Sequence, residues 1–385
     1  MKNKYDIVII GAGCIGASVA AHLGEAGVND VLVLEKEKMI GIGATAKCAG
    51  GVRAQFTTPP NIMMSKYSID RFAVMQKEYG IQYIPCGYLF VLKSEEQKSR
   101  FLKNMELQRS YGVEVRFVTP DEIRELAPHY GMDNVVGGTF GPKDGLVDPS
   151  MTVDYFFKQS RKRGIEFETE TPCTGLKTSG NRITHVCTPK GDIACDTVIN
   201  AAGPQSKLIG EMIGLKIPIE PVRRILTTTG ELKFVTEKFP MVVDVTTGLY
   251  MHREGNGLLI GYANPDEPPG FDESIDEAFL EVMLATALEI MPYLENAEIK
   301  MKYPGTWGGL YETTPDHHSI IDWAKGWSNL LIVGGFSGHG LMHSPAAGKA
   351  AAEIITRGQC ETFDLRPLRF TRFEEGDLTE EINVI

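Results

Sequence analysis

The sequence has no C-x-x-C pair and no cluster among its seven cysteines. Cys14, Cys48, Cys86, Cys173, Cys187, Cys195 and Cys360 are scattered, which argues against a disulfide framework or a self-contained zinc or iron–sulfur centre. Basic residues are also in deficit, and a net charge of −11 excludes the basic face that nucleic acid or an anionic membrane would need. There is no apolar run of membrane-spanning length, no solenoid repeat and no low-complexity tract. Lys2 and Lys4 before an apolar stretch superficially resemble a secretion signal, but Asp6 interrupts it. The expectation is a soluble, cytoplasmic chain with reduced cysteines, acting on small molecules, and its 385 residues suggest two domains.

What is present begins at the amino end. The apolar run Tyr5 to Ile10 enters the turn Gly11-Ala12-Gly13-Cys14-Ile15-Gly16, a small-residue helix follows, and a second apolar run, Val31 to Leu34, ends at Glu35. In this strand, turn, helix, strand order the first glycine permits the tight turn, the second lets a pyrophosphate approach, and the third lets helix and strand pack closely. Amides at the helix start face the phosphate. Glu35 would accept hydrogen bonds from an adenosine ribose, which favours FAD or NAD over a cofactor with a 2′-phosphate.

Further along, a Gly/Ala-rich loop (Gly41 to Gly51) can lie flat against a ligand. Helical spacing predicts a helix from Asn61 to Tyr79, and Ser94 and Thr119 each open a helix with a Gln or Glu three residues on. Asp148-Pro149 opens another, ending at Gly164, and Asp196 to Pro204 reads as a strand entering a glycine turn. Pro218 to Gly261 is strand-rich with a hairpin at Gly255-Asn256-Gly257, and Ser274 to Met291 is helical. Near the carboxyl end the strand Asn329 to Val333 leads into Gly334-Gly335-Phe336-Ser337-Gly338-His339-Gly340, and Ser344-Pro345 is expected to open the next helix. The charged stretch from Glu374 reads as a solvated extension.

Three separated segments coincide here: the amino-terminal fingerprint, Val198-Ile199-Asn200-Ala201-Ala202-Gly203, and the second glycine turn. Together they resemble the amino-acid oxidase family of FAD enzymes across nearly the whole chain. Gly87 to Phe90, Pro304 to Tyr311, Thr314-Pro315-Asp316 and Phe370 to Glu375 look most like the β subunits of heteromeric L-proline dehydrogenase and sarcosine oxidase. The resemblance implies an α/β fold: a Rossmann-like FAD-binding domain (residues 1–85, 145–215 and 325–385) with an inserted α+β substrate domain on an antiparallel sheet (86–144 and 216–324).

It also implies that FAD touches Gly11, Gly13, Cys14, Ile15, Gly16, Glu35 and Lys36 at its adenosine end, and Thr45, Ala46, Lys47, Gly50 and Gly51 toward the diphosphate and isoalloxazine. Thr171, Ala202, Gly203 and Gly309 are further expected contacts. Gly335, Phe336, Ser337, Gly338, His339, Gly340 and Leu341 would hold the flavin's pyrimidine edge, where backbone amides and a helix start stabilise the negative charge of reduction. Gly309 stands where related monomeric sarcosine oxidases carry a flavin-anchoring cysteine, so FAD is expected to be noncovalent. Their oxygen-activating lysine falls on Leu259, another active-site lysine on Met342, and their carboxylate-clamping arginine on Phe56. Pro149 stands where a histidine tethers FMN in the heterotetrameric enzymes, so any FMN at a subunit interface would be noncovalent.

Flavin oxidation of an amine needs a neutral amine with its α C–H near the flavin and a group for the carboxylate, but no obligatory base. Tyr250, Tyr262 and Tyr311 are candidates to line that site, with Arg53 and His252 as candidate carboxylate or amine contacts, and no metal is expected. Without the two lysines, superoxide would lack electrostatic stabilisation. A dehydrogenase of a small amino acid or secondary amine, passing electrons to a partner subunit, is therefore the expectation. An oxygen-using glycine or sarcosine oxidase and a non-catalytic FAD-holding subunit remain open.

Overall fold

The computed structural model describes residues 1–301 and 304–383. The expected apolar runs form the parallel centre of an eight-stranded sheet. Val31–Leu34, Lys4–Ile10, Ile193–Asn200 and Leu330–Gly334 lie side by side in that order, with Glu166–Glu168 parallel outside Val31–Leu34. Such strands are covered on both faces, which is why Val31 to Leu34 is apolar and buried at every position. Their carboxyl ends share one edge: Ile10 is level with both Leu34 and Asn200, so the turns that follow open at the same place.

Helix Cys14–Glu25 packs closely because its residues are small. A Cβ on Gly16 would fall 1.9 Å from the Gly11 carbonyl oxygen. Helix Gly340–Arg357 crosses it at Gly348, and the Ser18 hydroxyl donates to the Ser344 carbonyl at 2.7 Å. Ser344-Pro345 does not open this helix as expected. It starts at Gly340 and contains Pro345, and the Leu341 carbonyl that would have bonded a residue-345 amide accepts the Ser344 hydroxyl at 2.8 Å.

The second sheet also has eight strands. Its order is Thr306–Thr313, Glu220–Thr228, Gly257–Tyr262, Tyr250–Glu254, Met241–Asp244, Tyr88–Leu92, Gly137–Gly141 and Arg116–Val118. Pairing is antiparallel except between Met241–Asp244 and Tyr88–Leu92. Strand alternation divides the side chains between two cores. Leu89, Val91, Val242, Met251 and Ile260 pack under helix Glu277–Ile290, whereas Tyr88, Phe90, Met241, Val243, Tyr250 and Leu259 face the other way.

Strand Ile320–Trp323 pairs antiparallel with Leu330–Gly334 and so belongs to the first sheet. From Glu374 to Glu380 the chain is exposed, as expected, but Glu381 at the far end of this stretch is fully buried, as is Arg372 just before it. Arg372 pairs with Asp316 at 2.7 and 3.0 Å, and Glu381 accepts from the Thr57 amide and from the Thr57, Thr58 and Asn61 side chains at the start of helix Pro59–Tyr79. Buried charges need such partners, and their partners lie far away in sequence.

Candidate active site

The shared edge of the first sheet opens into a cavity of about 690 Å³ that runs to the inner face of the second sheet. Gly11, Gly13, Cys14, Ile15, Glu35 and Lys36 line one end. Thr45, Lys47, Thr171, Ala202 and Gly203 line its middle, and Gly309, Tyr311, Tyr250, Gly338, Gly340 and Leu341 the other end. Of the remaining expected contacts, Gly16 is an internal packing glycine, and Ala46, Gly335, Phe336 and Ser337 stand behind the wall rather than on it. Phe336 is 1% exposed and belongs to the core, and the Ser337 amide bonds the Glu312 carbonyl at 2.9 Å.

Whether these residues suit FAD can be tested on the two helix starts. Helices Cys14–Glu25 and Gly340–Arg357 both begin at this cavity without a side-chain cap and without an acidic residue in the first turn. Two uncapped amino ends aimed at one cavity favour an elongated anion with negative charge at separated points. The Glu35 carboxylate is fixed by the Ala12 amide at 3.1 Å and the Glu37 amide at 3.0 Å, leaving acceptor capacity for ribose hydroxyls. The Thr45 hydroxyl accepts from the Cys14 amide at 3.1 Å and so pins the glycine-rich loop over the turn. A Cβ on Gly309 would fall 2.9 Å from that of Lys47, so the wall is bare there. The residues fit FAD.

A second, smaller cavity of about 50 Å³ adjoins the first. It shares Cys48, Ala49, Tyr250, Tyr311, Gly338 and Leu341 with it and adds Gly50, Gly51, Arg53, Tyr88, Met241, His339 and Met342. Arg53 follows strand Gly51–Val52, whose pairing with Gly145–Val147 fixes its direction. Its guanidinium is 1% exposed, lies 3.9 Å from the Phe56 ring centre, and donates to the Gln55 carbonyl at 2.8 Å and to the Asn383 carbonyl. The ring of His339 is 3.5 Å away, and among the described residues the Arg53 Nε has no partner. Burial lowers the guanidinium's pKa and raises the Tyr88, Tyr250 and Tyr311 phenols. Burial likewise pushes the Cys48 thiol up to about 11, so it is a neutral wall residue.

His252 lines neither cavity. It is 2% exposed, its Nδ1 lies 2.7 Å from the Arg253 carbonyl, and burial lowers its pKa to about 4. Tyr262 instead stacks on Phe279, on the helix-covered side of the sheet. Lys47 forms an ion pair with Glu273 at the cavity rim. Among the lining residues missed by sequence reasoning, Tyr88 and Met241 included, two carry ionisable groups beside the tyrosines and the glycine turn. Arg224 stands 4.9 Å over the Tyr311 ring with its Nε unpartnered among the described residues, and Glu312 buries a carboxyl under the second glycine turn. Glu312 adjoins Tyr311 in the sequence, whereas Arg224 meets a singled-out residue, Gly309, only through strand pairing.

A two-sheet α/β oxidoreductase with a dinucleotide-shaped cavity between its sheets is the class defined by this geometry. The chain belongs to the FAD dependent oxidoreductase family, whose model matches residues 6–354. It is 28% identical to mitochondrial dimethylglycine dehydrogenase of Rattus norvegicus, over 98% of this chain and 46% of that protein. It is 29% identical to FAD-dependent oxidoreductase domain-containing protein 1 of Xenopus laevis, over 100% of this chain and 85% of that one. The chain thus spans about half the length of the dimethylglycine dehydrogenases it matches. Among solved structures, L-proline dehydrogenase from P. horikoshii superposes with a TM-score of 0.92 at 32% identity, over 98% of this chain and 100% of that one.

Proposed function

We propose that this chain oxidises a small amino acid or secondary amine of the L-proline, sarcosine or glycine type. The observation that carries the reading is the second cavity, small, closed by tyrosines, and furnished with one buried guanidinium. Arg53 binds the substrate carboxylate, a charge-assisted contact that the low-dielectric surroundings strengthen. Tyr88, Tyr250, Tyr311 and Met241 exclude water and hold the amine's α carbon toward the larger cavity. Neutral phenols there do not compete with the amine for a positive charge. FAD, when bound, accepts a hydride from that carbon.

Electrons then pass to an acceptor or to a partner subunit, with noncovalent FMN at the interface as one such relay. Leu259 and Met342, apolar where related oxidases carry lysines, support the dehydrogenase, and Met342 lines the second cavity. An oxygen-using oxidase is the second reading, favoured by Arg53, a cation that could stabilise superoxide in the same cavity. Seven free cysteines support a reducing compartment, and we place the chain in the cytoplasm. Among the described residues, no helix is long and apolar enough to cross a membrane.

Anaerobic titration of the FAD-loaded protein with L-proline, sarcosine and glycine tests this. Bleaching of the flavin's visible band by one of them is expected, followed by slow reoxidation in air. Bleaching with none overturns the substrate class, and rapid reoxidation selects the oxidase. Reduction that appears only when a second subunit is added would make the chain an FAD-holding component.

A further inference from the structure

Glu312 keeps an acid where a charge is costly. Its side chain lies on the wall of the large cavity below the Gly335 to Leu341 turn, where a Cβ on Gly334, Gly340 or Gly203 would approach its carboxylate oxygens to 3.3, 3.7 and 4.0 Å. Three glycines, two at the ends of the second glycine turn and one after strand Ile193–Asn200, thus leave room around one carboxyl. One oxygen accepts from the Gly335 amide at 3.0 Å, while the Glu312 carbonyl accepts from the Ser337 amide at 2.9 Å. Among the described residues no Lys, Arg or His forms an ion pair with it.

The groups on the surrounding elements leave it alone. Cys14, from the opposing helix, faces it as a thiol that burial holds neutral, with a pKa near 12. Tyr311 precedes it on the strand and turns to the other face, where Arg224 covers its ring. His339, on the glycine turn, is directed at Phe56 and Arg53. Burial pushes the Glu312 carboxyl up to about 7 against the opposing backbone hydrogen bonds of Gly335 and Phe336, so near neutrality a small change in local charge moves its proton.

We propose that Glu312 couples reduction in this cavity to proton uptake, taking one proton from solvent as negative charge arrives beside the glycine turn. This rests on the reading that FAD fills the cavity. Per substrate oxidised, the neutral amine gives up one hydride, that is two electrons and one proton together, and becomes an iminium ion of charge +1, while bound FAD would gain one net negative charge. Once the iminium has left the cavity with its positive charge, the Glu312 carboxylate and one solvent proton become a carboxylic acid, so the cavity's charge returns to its value before reduction. Reduction is then easier at acidic than at alkaline pH, beyond what the cofactor's own protons require.

The FAD-loaded protein, its visible spectrum recorded first, is reduced electrochemically at pH 8 in weak buffer with a pH indicator, and its midpoint potential is followed from pH 6 to 9. The wild type should take up close to one proton more per two electrons than Glu312→Gln and show the steeper pH dependence. Equal uptake and equal slopes overturn the proposal while leaving the flavin reading intact, whereas a chain that binds no FAD overturns both. Should Glu312→Gln lose FAD, the redox-difference infrared spectrum of the wild type decides. A carboxylic-acid band that grows on reduction and moves in Glu312→Asp supports the assignment, and no such band refutes it.

Discussion

Arg53 rests its guanidinium 3.9 Å from the centre of the Phe56 ring, three residues further along the chain. The pairing matters because the sequence resemblance places the carboxylate-clamping arginine of sarcosine oxidases at Phe56, which carries no charge. Here the ring serves as a platform and the charge comes from its neighbour, at the wall of the second cavity. Arg53→Met should lower kcat/KM about 10- to 150-fold, the loss of one charge-assisted contact of roughly 1.5–3 kcal/mol. Most of this should appear in KM. Arg53→Lys retains the charge without the fork and should recover part of the loss. An unchanged KM in both variants, with the flavin spectrum intact, would remove Arg53 from the substrate.

The Glu35 carboxylate bonds the Ala12 and Glu37 amides and turns its remaining lone pairs to the cavity. Glu35→Ala should weaken FAD binding by roughly 10- to 150-fold, a charged hydrogen bond's worth, without altering substrate specificity. Fluorescence quenching on FAD titration measures it. Glu35→Gln should lie between the two, because its amide oxygen still accepts.

Five buried imidazoles, His22, His252, His318, His339 and His343, have pKa values lowered chiefly by burial, His252 to about 4 and His343 to about 3. The unfolded chain binds protons at these sites from about pH 6.5 downward, whereas the folded chain does not. Their contribution is therefore complete above pH 6.5 and is lost as pH falls toward the folded values. Each costs up to about 1.4 kcal/mol per pH unit in that window. Urea midpoints at pH 8, 6 and 5 should fall progressively. His252→Phe, which cannot bind a proton in either state, should show a shallower decline than the wild type.

The cofactor end of the site was legible in the sequence because its physics is local. Gly11, Gly13 and Glu35 sit within one strand, turn, helix, strand unit, and hydrophobic period and turn chemistry place them without tertiary knowledge. The substrate end was legible only in part. Tyr250 and His252 share one strand face, yet the first lines a cavity and the second does not. Glu312 and Arg224 became visible only through the pairing of Arg224 with Gly309 and the Glu312–Gly335 hydrogen bond across the two sheets. At the carboxyl end charge pointed rightly to solvent from Glu374 to Glu380 but not at Glu381, whose partners Thr57 and Thr58 lie more than fifty residues away.

That end also provides the sharpest stability test. The Arg372 guanidinium bonds both oxygens of Asp316, at 2.7 and 3.0 Å, and donates to the His318 carbonyl at 2.8 Å, with side-chain exposures of 0% and 2% for the pair. Burial pushes the Asp316 carboxyl up, but the hydrogen bond and charge of Arg372 outweigh it and hold the pKa below the usual value. The contribution of Asp316 is therefore present above the unfolded carboxyl's pKa and is lost as pH falls through its depressed folded value. Arg372→Met leaves a buried carboxylate unpaired and should cost about 3–5 kcal/mol. Asp316→Asn combined with Arg372→Met removes both charges and should cost less than Arg372→Met alone. Urea unfolding of the single and double variants measures the difference. If the single variant is no less stable than the double, the pair does not hold the carboxyl-terminal stretch onto the first sheet.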